Sequence, residues 1–159
     1  MSPRSERNIW KGNPVRIGVD SSILIAAMHA NHPMHAVAVG WLTPALRKHD
    51  LVVADHTVLE CYAVMTRLPG TWRVTGDEAN HLIRSTVMSN MEIFGFAPKT
   101  LSDCLEKMAA NHVVGGKTYD AFIVETLKQA GTAKIATFNP SHFSAVAGKI
   151  AVFDPSKPE

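Results

Sequence analysis

Five short apolar runs alternate along this chain with longer helix-like segments, and that alternation constrains the fold more than any other feature. The runs occupy residues 15–19, 50–54, 92–96, 133–138 and 150–153. They are too short for helices and too uniformly apolar for strands with one wet face, so they read as buried strands. The segments at 21–30, 33–48, 55–68, 77–90, 101–113 and 118–130 read as helices, with a short helical turn at 140–147. In the first of these, Ile23, Leu24, Ala27 and Met28 share one face. Strand–helix alternation gives βα units, hence an α/β fold with a mostly parallel sheet and helices on both faces.

Local punctuation sets the expected boundaries. Ser21 or Ser22 can cap the first helix, Thr75 the helix at 77–90, and Thr100 or Ser102 that at 101–113. Pro33 suits a first helical position, and Pro44 is expected to kink or interrupt the same helix. Pro69-Gly70, Gly115-Gly116 and Gly131 mark helix ends. Residues 1–13 show no apolar periodicity and read as a flexible arm before a single domain at 14–159. At 159 residues the chain can bury a substantial core, and its 46% apolar content argues against disorder. No run approaches the roughly 18 apolar residues of a membrane span, and the N-terminus lacks a signal-peptide core, so a cytoplasmic location is expected. Cys61 and Cys104 make neither a disulfide framework nor a metal motif and read as small core hydrophobes. The net charge of +2 is compatible with a polyanionic partner without pointing to one.

Ligands of open parallel sheets bind beyond the carboxyl ends of the strands. Asp20 closes the first strand, and Thr137 and Asn139 close the one at 133–138. Glu60 lies one turn into the helix after the second strand, and Asp120 in the first turn of the helix after Gly115-Gly116. Each has a plain structural explanation. Asp20 can cap a helix, Thr57 and Glu60 have capping-box spacing, Asp120 can complement a helix dipole, and Asn139-Pro140 is a common turn pair. Together they say more. Each acid is flanked by apolar residues, and carboxylates in such settings are costly unless paired or bound to a cation. Oxygen-only ligands suit hard cations such as Mg²⁺ or Mn²⁺, which activate water for attack on a phosphodiester.

Four stretches carry a family likeness: IGVDSSIL at 17–24, VLECY at 58–62, YDAFI at 119–123 and ATFNPSHF at 136–143. In this order and spacing the chain resembles PIN-domain proteins, and within them the VapC-type ribonuclease toxins of toxin–antitoxin pairs. The resemblance implies a flavodoxin-like three-layer fold, an acidic site using Mg²⁺ or Mn²⁺, RNA cleavage, homodimerisation and an antitoxin partner. It makes Asp20, Glu60 and Asp120 the metal-binding acids and lines the site with Ser21 and Thr137. The family's fourth acidic position falls on Asn139, which offers a neutral oxygen and should hold a second metal more weakly.

Other features read differently. NHVVGGKT at 111–118 looks like a phosphate-binding loop but lacks its first glycine and comes after a helix, so no nucleotide cofactor is expected. Lys117 within it is a candidate for an RNA phosphate contact or simply a solvated lysine. His142 either lies near the phosphate or packs beside Phe143. His29, His32 and His35 read as surface residues around a helix boundary, and Trp41 and Trp72 as packing or base-stacking aromatics. Glu125, Asp103 and Asp154 are set outside the site.

Three functions fit these residues. The first is a metal-dependent ribonuclease, either a toxin or an RNA-processing enzyme without an antitoxin. The second is a PIN-like module that binds RNA or protein without cutting. The third is a phospho-acceptor receiver, disfavoured because Ser21 comes directly after Asp20 and Lys134 begins its strand.

Overall fold

The computed structural model describes residues 14–157. The arm at residues 1–13 lies outside them. Five strands, β1 (Arg16–Val19), β2 (Asp50–Ala54), β3 (Glu92–Phe94), β4 (Lys134–Ala136) and β5 (Ala151–Phe153), form one sheet in the order β3-β2-β1-β4-β5. Every pairing is parallel, with Gly18 opposite Val52 on one side of β1 and Ile135 on the other. The α/β architecture and parallel sheet match the alternation in the sequence. Strand β2 coincides with its apolar run, and the other four strands are one to three residues shorter than theirs.

Side chains alternate across the sheet. Ile17, Val19, Leu51, Val53 and Ala136 face one core, packed by α1 (Ser21–Met28), α2 (His35–Lys48), α3 (Asp55–Arg67) and α4 (Gly76–Ile83). Val52, Ala54 and Ile135 face the other, packed by Ile123, Val124 and Leu127 of α6 (Lys117–Gln129) and Phe143 of α7 (Pro140–Ser144). The fifth helix, α5 (Pro98–Ala110), buries Cys104 and Met108. Gly18 points at α6, where a β-carbon would stand 2.6 Å from Leu127 Cδ1, so glycine lets β1 and α6 approach closely.

Several boundaries differ from expectation. Helix α2 starts at His35 rather than Pro33, because the preceding corner is closed by histidines. His32 Nδ1 accepts from the Met34 N–H at 3.1 Å, and His35 Nδ1 donates to the Ala26 carbonyl at 2.9 Å. His29 is buried, donates Nε2–H to the Trp72 carbonyl at 2.8 Å and stacks on the Trp72 ring. These histidines are structural, correcting the reading of them as surface residues. Helix α2 also runs unbroken through Pro44. The carbonyl four residues back belongs to Gly40, an exposed position with open space around it, where the missing hydrogen bond can be met by water.

Helix α5 begins at Pro98, in a first-turn position where its missing N–H costs nothing, not at residue 101. The segment expected as one helix at 77–90 is α4 capped by Thr75, then a π-helical turn over Arg84–Met88. Among the described residues no helix is long and apolar enough to cross a membrane. Cys61 and Cys104 are free and buried, and burial pushes both thiols up.

Candidate active site

The strand order reverses direction at β1. The chain steps outward through β2 and β3, then returns to place β4 on the far side of β1. The crevice beyond the carboxyl ends of β1 and β4 is therefore the topological switch point of the sheet. Asp20 stands there, 6% exposed, with its N–H bonded to Ala136 O at 3.0 Å.

The Asp20 carboxylate is held by its neighbours in an asymmetric way. Oδ2 accepts from Ser22 Oγ at 2.7 Å, from Thr137 Oγ1 at 2.8 Å and from the Ser22 N–H at 3.3 Å. The last of these caps α1, so the plain explanation of Asp20 is true as well. Each hydroxyl is itself oriented by a backbone donor: Phe138 N–H to Ser22 Oγ and Asn139 N–H to Thr137 Oγ1, both at 3.0 Å. Oδ2 is thus saturated. Oδ1 has only the Ser21 hydroxyl, at 3.5 Å, and is the oxygen left for a ligand.

Glu60 projects from α3 towards the same point, half-buried, and hydrogen-bonds the Ser21 hydroxyl. Burial raises its carboxyl above the ordinary value; the Ser21 bond and His56 oppose the rise, and the charges of Asp20 and Asp120 add to it. Asp120, in the first turn of α6, is also raised, by burial and by Asp20, with His142 opposing. The three acids therefore sense one another's charge across the crevice. The capping-box explanation of Glu60 fails. The cap of α3 is Ala54, and Thr57 Oγ1 is fully buried without a partner. The box that does form joins Thr75 and Glu78.

Of the remaining sequence candidates, Asn139 is exposed and lines a pocket of about 540 Å³ with Ser22, Trp72, Phe138 and Asp154. His142 is exposed on α7, close enough to Asp120 to act on its carboxyl, while Phe143 beside it does the packing. Lys117 is exposed at the start of α6. Glu125 pairs with Lys107 at 2.9 Å, and Asp154 accepts from Ser156. Two site neighbours escape the sequence. Ser22 is visible there only as a possible cap. His56 had one available signal, its four-residue spacing to Glu60 on α3.

The donor chemistry of the site, three carboxylates with hydroxyls and no thiol or imidazole at their centre, fits a hard divalent cation. Among the described residues no three His, Cys, Asp or Glu side chains stand together as a ready-made ligand cluster.

The PIN domain family model matches residues 17–149, from β1 to the loop before β5 and across all three acids. The chain is a PIN-domain protein. Over 122 residues it is 34% identical to Ribonuclease VapC40 of Mycobacterium tuberculosis, covering 76% of this chain and 84% of that relative. Among solved structures its fold is similar to M. tuberculosis VapC20, described as a Sarcin-Ricin loop cleaving toxin. The TM-score is 0.63 at 16% identity, over 81% of this chain and 94% of that one. It is similar too to VapBC2 from Rickettsia felis bound to a promoter DNA fragment, with a TM-score of 0.63 at 12% identity over 88% and 98% of the two chains. These two likenesses concern the PIN fold. The acid positions of this PIN domain lie on the elements that build its switch-point crevice.

Proposed function

We propose that this PIN domain is a metal-dependent ribonuclease, the toxin of a type II toxin–antitoxin pair, acting in the cytoplasm. The observation that carries the proposal is that Glu60 and Asp120 both lie near enough to Asp20 to feel its charge, in a chain 34% identical to a VapC ribonuclease. Asp20 through Oδ1, with Glu60 and Asp120, would hold Mg²⁺ or Mn²⁺, and Asn139 would contribute a weaker oxygen or a water-mediated contact. The cation supplies Lewis-acid activation of water and charge neutralisation at the phosphodiester.

The protein's own residues prepare that chemistry. Ser22 and Thr137 fix the Asp20 carboxylate, so that little reorganisation is needed when RNA arrives. Ser21 ties Glu60 into the same crevice. Exposed Lys117, at the start of α6, and His142, near Asp120, would meet the polyanion. The ribonuclease reading brings with it an RNA substrate, a homodimer and a cognate antitoxin as partners.

The test is incubation of structured and single-stranded RNA with the purified, antitoxin-free protein, with Mn²⁺ and with EDTA, beside Asp20→Ala. Cleavage that requires both the cation and Asp20 is expected. Cleavage persisting in EDTA or in Asp20→Ala would overturn the assignment. RNA binding without cleavage by the folded protein would favour a non-cutting binding module, for which the asparagine at position 139 is the specific argument.

A further inference from the structure

The acid crevice is flanked by a stack of rings that folding alone does not require. Tyr119, next to Asp120 on α6, lies parallel to His56 on α3, with ring centroids 5.1 Å apart and an interplanar angle of 7°. His56 is braced edge-on by Phe122 at 5.9 Å, and Phe122 by Phe96 at 4.9 Å. The outer ring of this buttress is nevertheless 60% exposed. With one face of Tyr119 covered by His56, the surface it shows to solvent is its opposite face and edge. A flat, rigidly backed aromatic face in water gains little from burial in the free protein and is suited to stacking a second flat ring.

Its position says which ring. His56 precedes Glu60 by one helical turn and is near enough to act on its carboxyl, and Tyr119 adjoins Asp120 in sequence. A phosphodiester at the acid crevice would therefore carry its adjoining nucleotides past Tyr119. Single-stranded RNA presents unstacked bases that aromatic side chains take up irrespective of base identity. We infer that Tyr119, backed by His56, is a base-stacking platform that positions a single-stranded RNA nucleotide next to the scissile phosphate. This rests on the ribonuclease reading and deepens it: the substrate segment is unpaired, and Tyr119 acts in binding and positioning rather than in chemistry.

The experiment uses the full chain in two arms. In the first, steady-state cleavage of a single-stranded oligoribonucleotide with Mn²⁺ is compared for the native protein, Tyr119→Ala, Tyr119→Phe and Tyr119→Trp. Removing the ring should raise KM roughly 5- to 150-fold, the span of one lost base stack, with a much smaller change in kcat. The Phe and Trp variants should restore a low KM. In the second, an oligoribonucleotide carrying 2-aminopurine is titrated into Asp20→Asn protein, whose cleavage is blocked. Stacking quenches the fluorescence, and the quench should vanish in Asp20→Asn/Tyr119→Ala.

An unchanged KM and quench in the Tyr119→Ala proteins, while the native protein cleaves, would overturn the platform and leave the ribonuclease reading standing. A Tyr119→Ala protein altered only in sedimentation, with KM intact, would overturn it in favour of self-association. No cleavage and no RNA binding by the native protein would overturn both readings.

Discussion

Thr137 donates its hydroxyl to Asp20 Oδ2 at 2.8 Å, joining the ends of two adjacent strands whose residues stand 117 positions apart in the chain. Thr137 Oγ1 in turn accepts the Asn139 N–H, so one buried threonine both fixes the central acid and shapes the turn that carries Asn139. Thr137→Val keeps the volume and removes the hydroxyl. It leaves a backbone donor unpaired and frees the carboxylate to rotate. A stability loss of about 1–3 kcal/mol in urea unfolding is expected. Manganese-dependent cleavage should fall roughly 10- to 100-fold, as for other residues that orient metal ligands. Thr137→Ser should recover most of both; a Val variant with native activity would remove Thr137 from the site's support.

The raised carboxyls of Glu60 and Asp120 predict how stability varies with pH. The folded protein binds their protons more tightly than the unfolded chain does. The resulting stabilisation is fully present below the ordinary carboxylate pKa and is lost as pH rises through the raised values. As they ionise, both groups meet the charge of Asp20, which opposes their ionisation. In the presence of chelator, Glu60→Gln should therefore melt at a higher temperature than the native protein at pH 7.5, with the difference shrinking towards pH 4. Manganese should raise the native melting temperature more at pH 7.5 than at pH 5, where protons compete for the same oxygens, and should do little for Asp20→Asn. A Glu60→Gln protein less stable than native at neutral pH would contradict this account of the crevice.

Gly18 and Leu127 link the core to the site. A β-carbon on Gly18 would press into Leu127 Cδ1 at 2.6 Å and Cδ2 at 3.1 Å. Leu127 is fully buried. Gly18→Ala should cost about 1–3 kcal/mol by overpacking. Because α6 also carries Asp120, activity should fall with it. Adding Leu127→Ala should cost less in the Gly18→Ala background than in the native one, a coupling that a double-mutant cycle in urea would detect. Simple additivity would show that β1 and α6 do not press on each other there.

Much of this arrangement could be read from the sequence because it is local. The buried parallel strands announce themselves as apolar runs, and Asp20 stands out as the polar residue that ends the first of them. Distant relationships leave no such trace. Nothing in residue spacing says that Ser22 and Thr137 share one oxygen of Asp20, or that Tyr119 lies flat on His56. The histidines at 29, 32 and 35 look solvent-facing because their pattern straddles a helix boundary, yet His32 and His35 close the corner between α1 and α2 through backbone groups and His29 ties it to the Trp72 carbonyl. Pro44 misleads for a related reason: the rule concerns the helix interior, and the lost bond falls here on exposed Gly40. The capping-box spacing of Thr57 and Glu60 is also shared by Thr75 and Glu78, and only the start of each helix decides which pair forms the box.

Asn139 gives the sharpest test of how many cations the crevice holds. Its backbone is pinned by Thr137, so a substitution there changes the donor without moving the turn. Asn139→Asp replaces a neutral oxygen by a charged one on the turn whose Thr137 holds Asp20. Without a cation this adds negative charge near Asp20, and the chelated protein should lose stability. With a cation the same charge becomes a ligand of higher affinity, since oxygen sites strengthen with their count of anionic donors. The manganese concentration for half-maximal cleavage should drop, and calorimetric titration should show a second ion binding more tightly than in the native protein. If both the titration and the metal dependence stay as in the native protein, position 139 does not face the cation, and the acids Asp20, Glu60 and Asp120 complete the site without it.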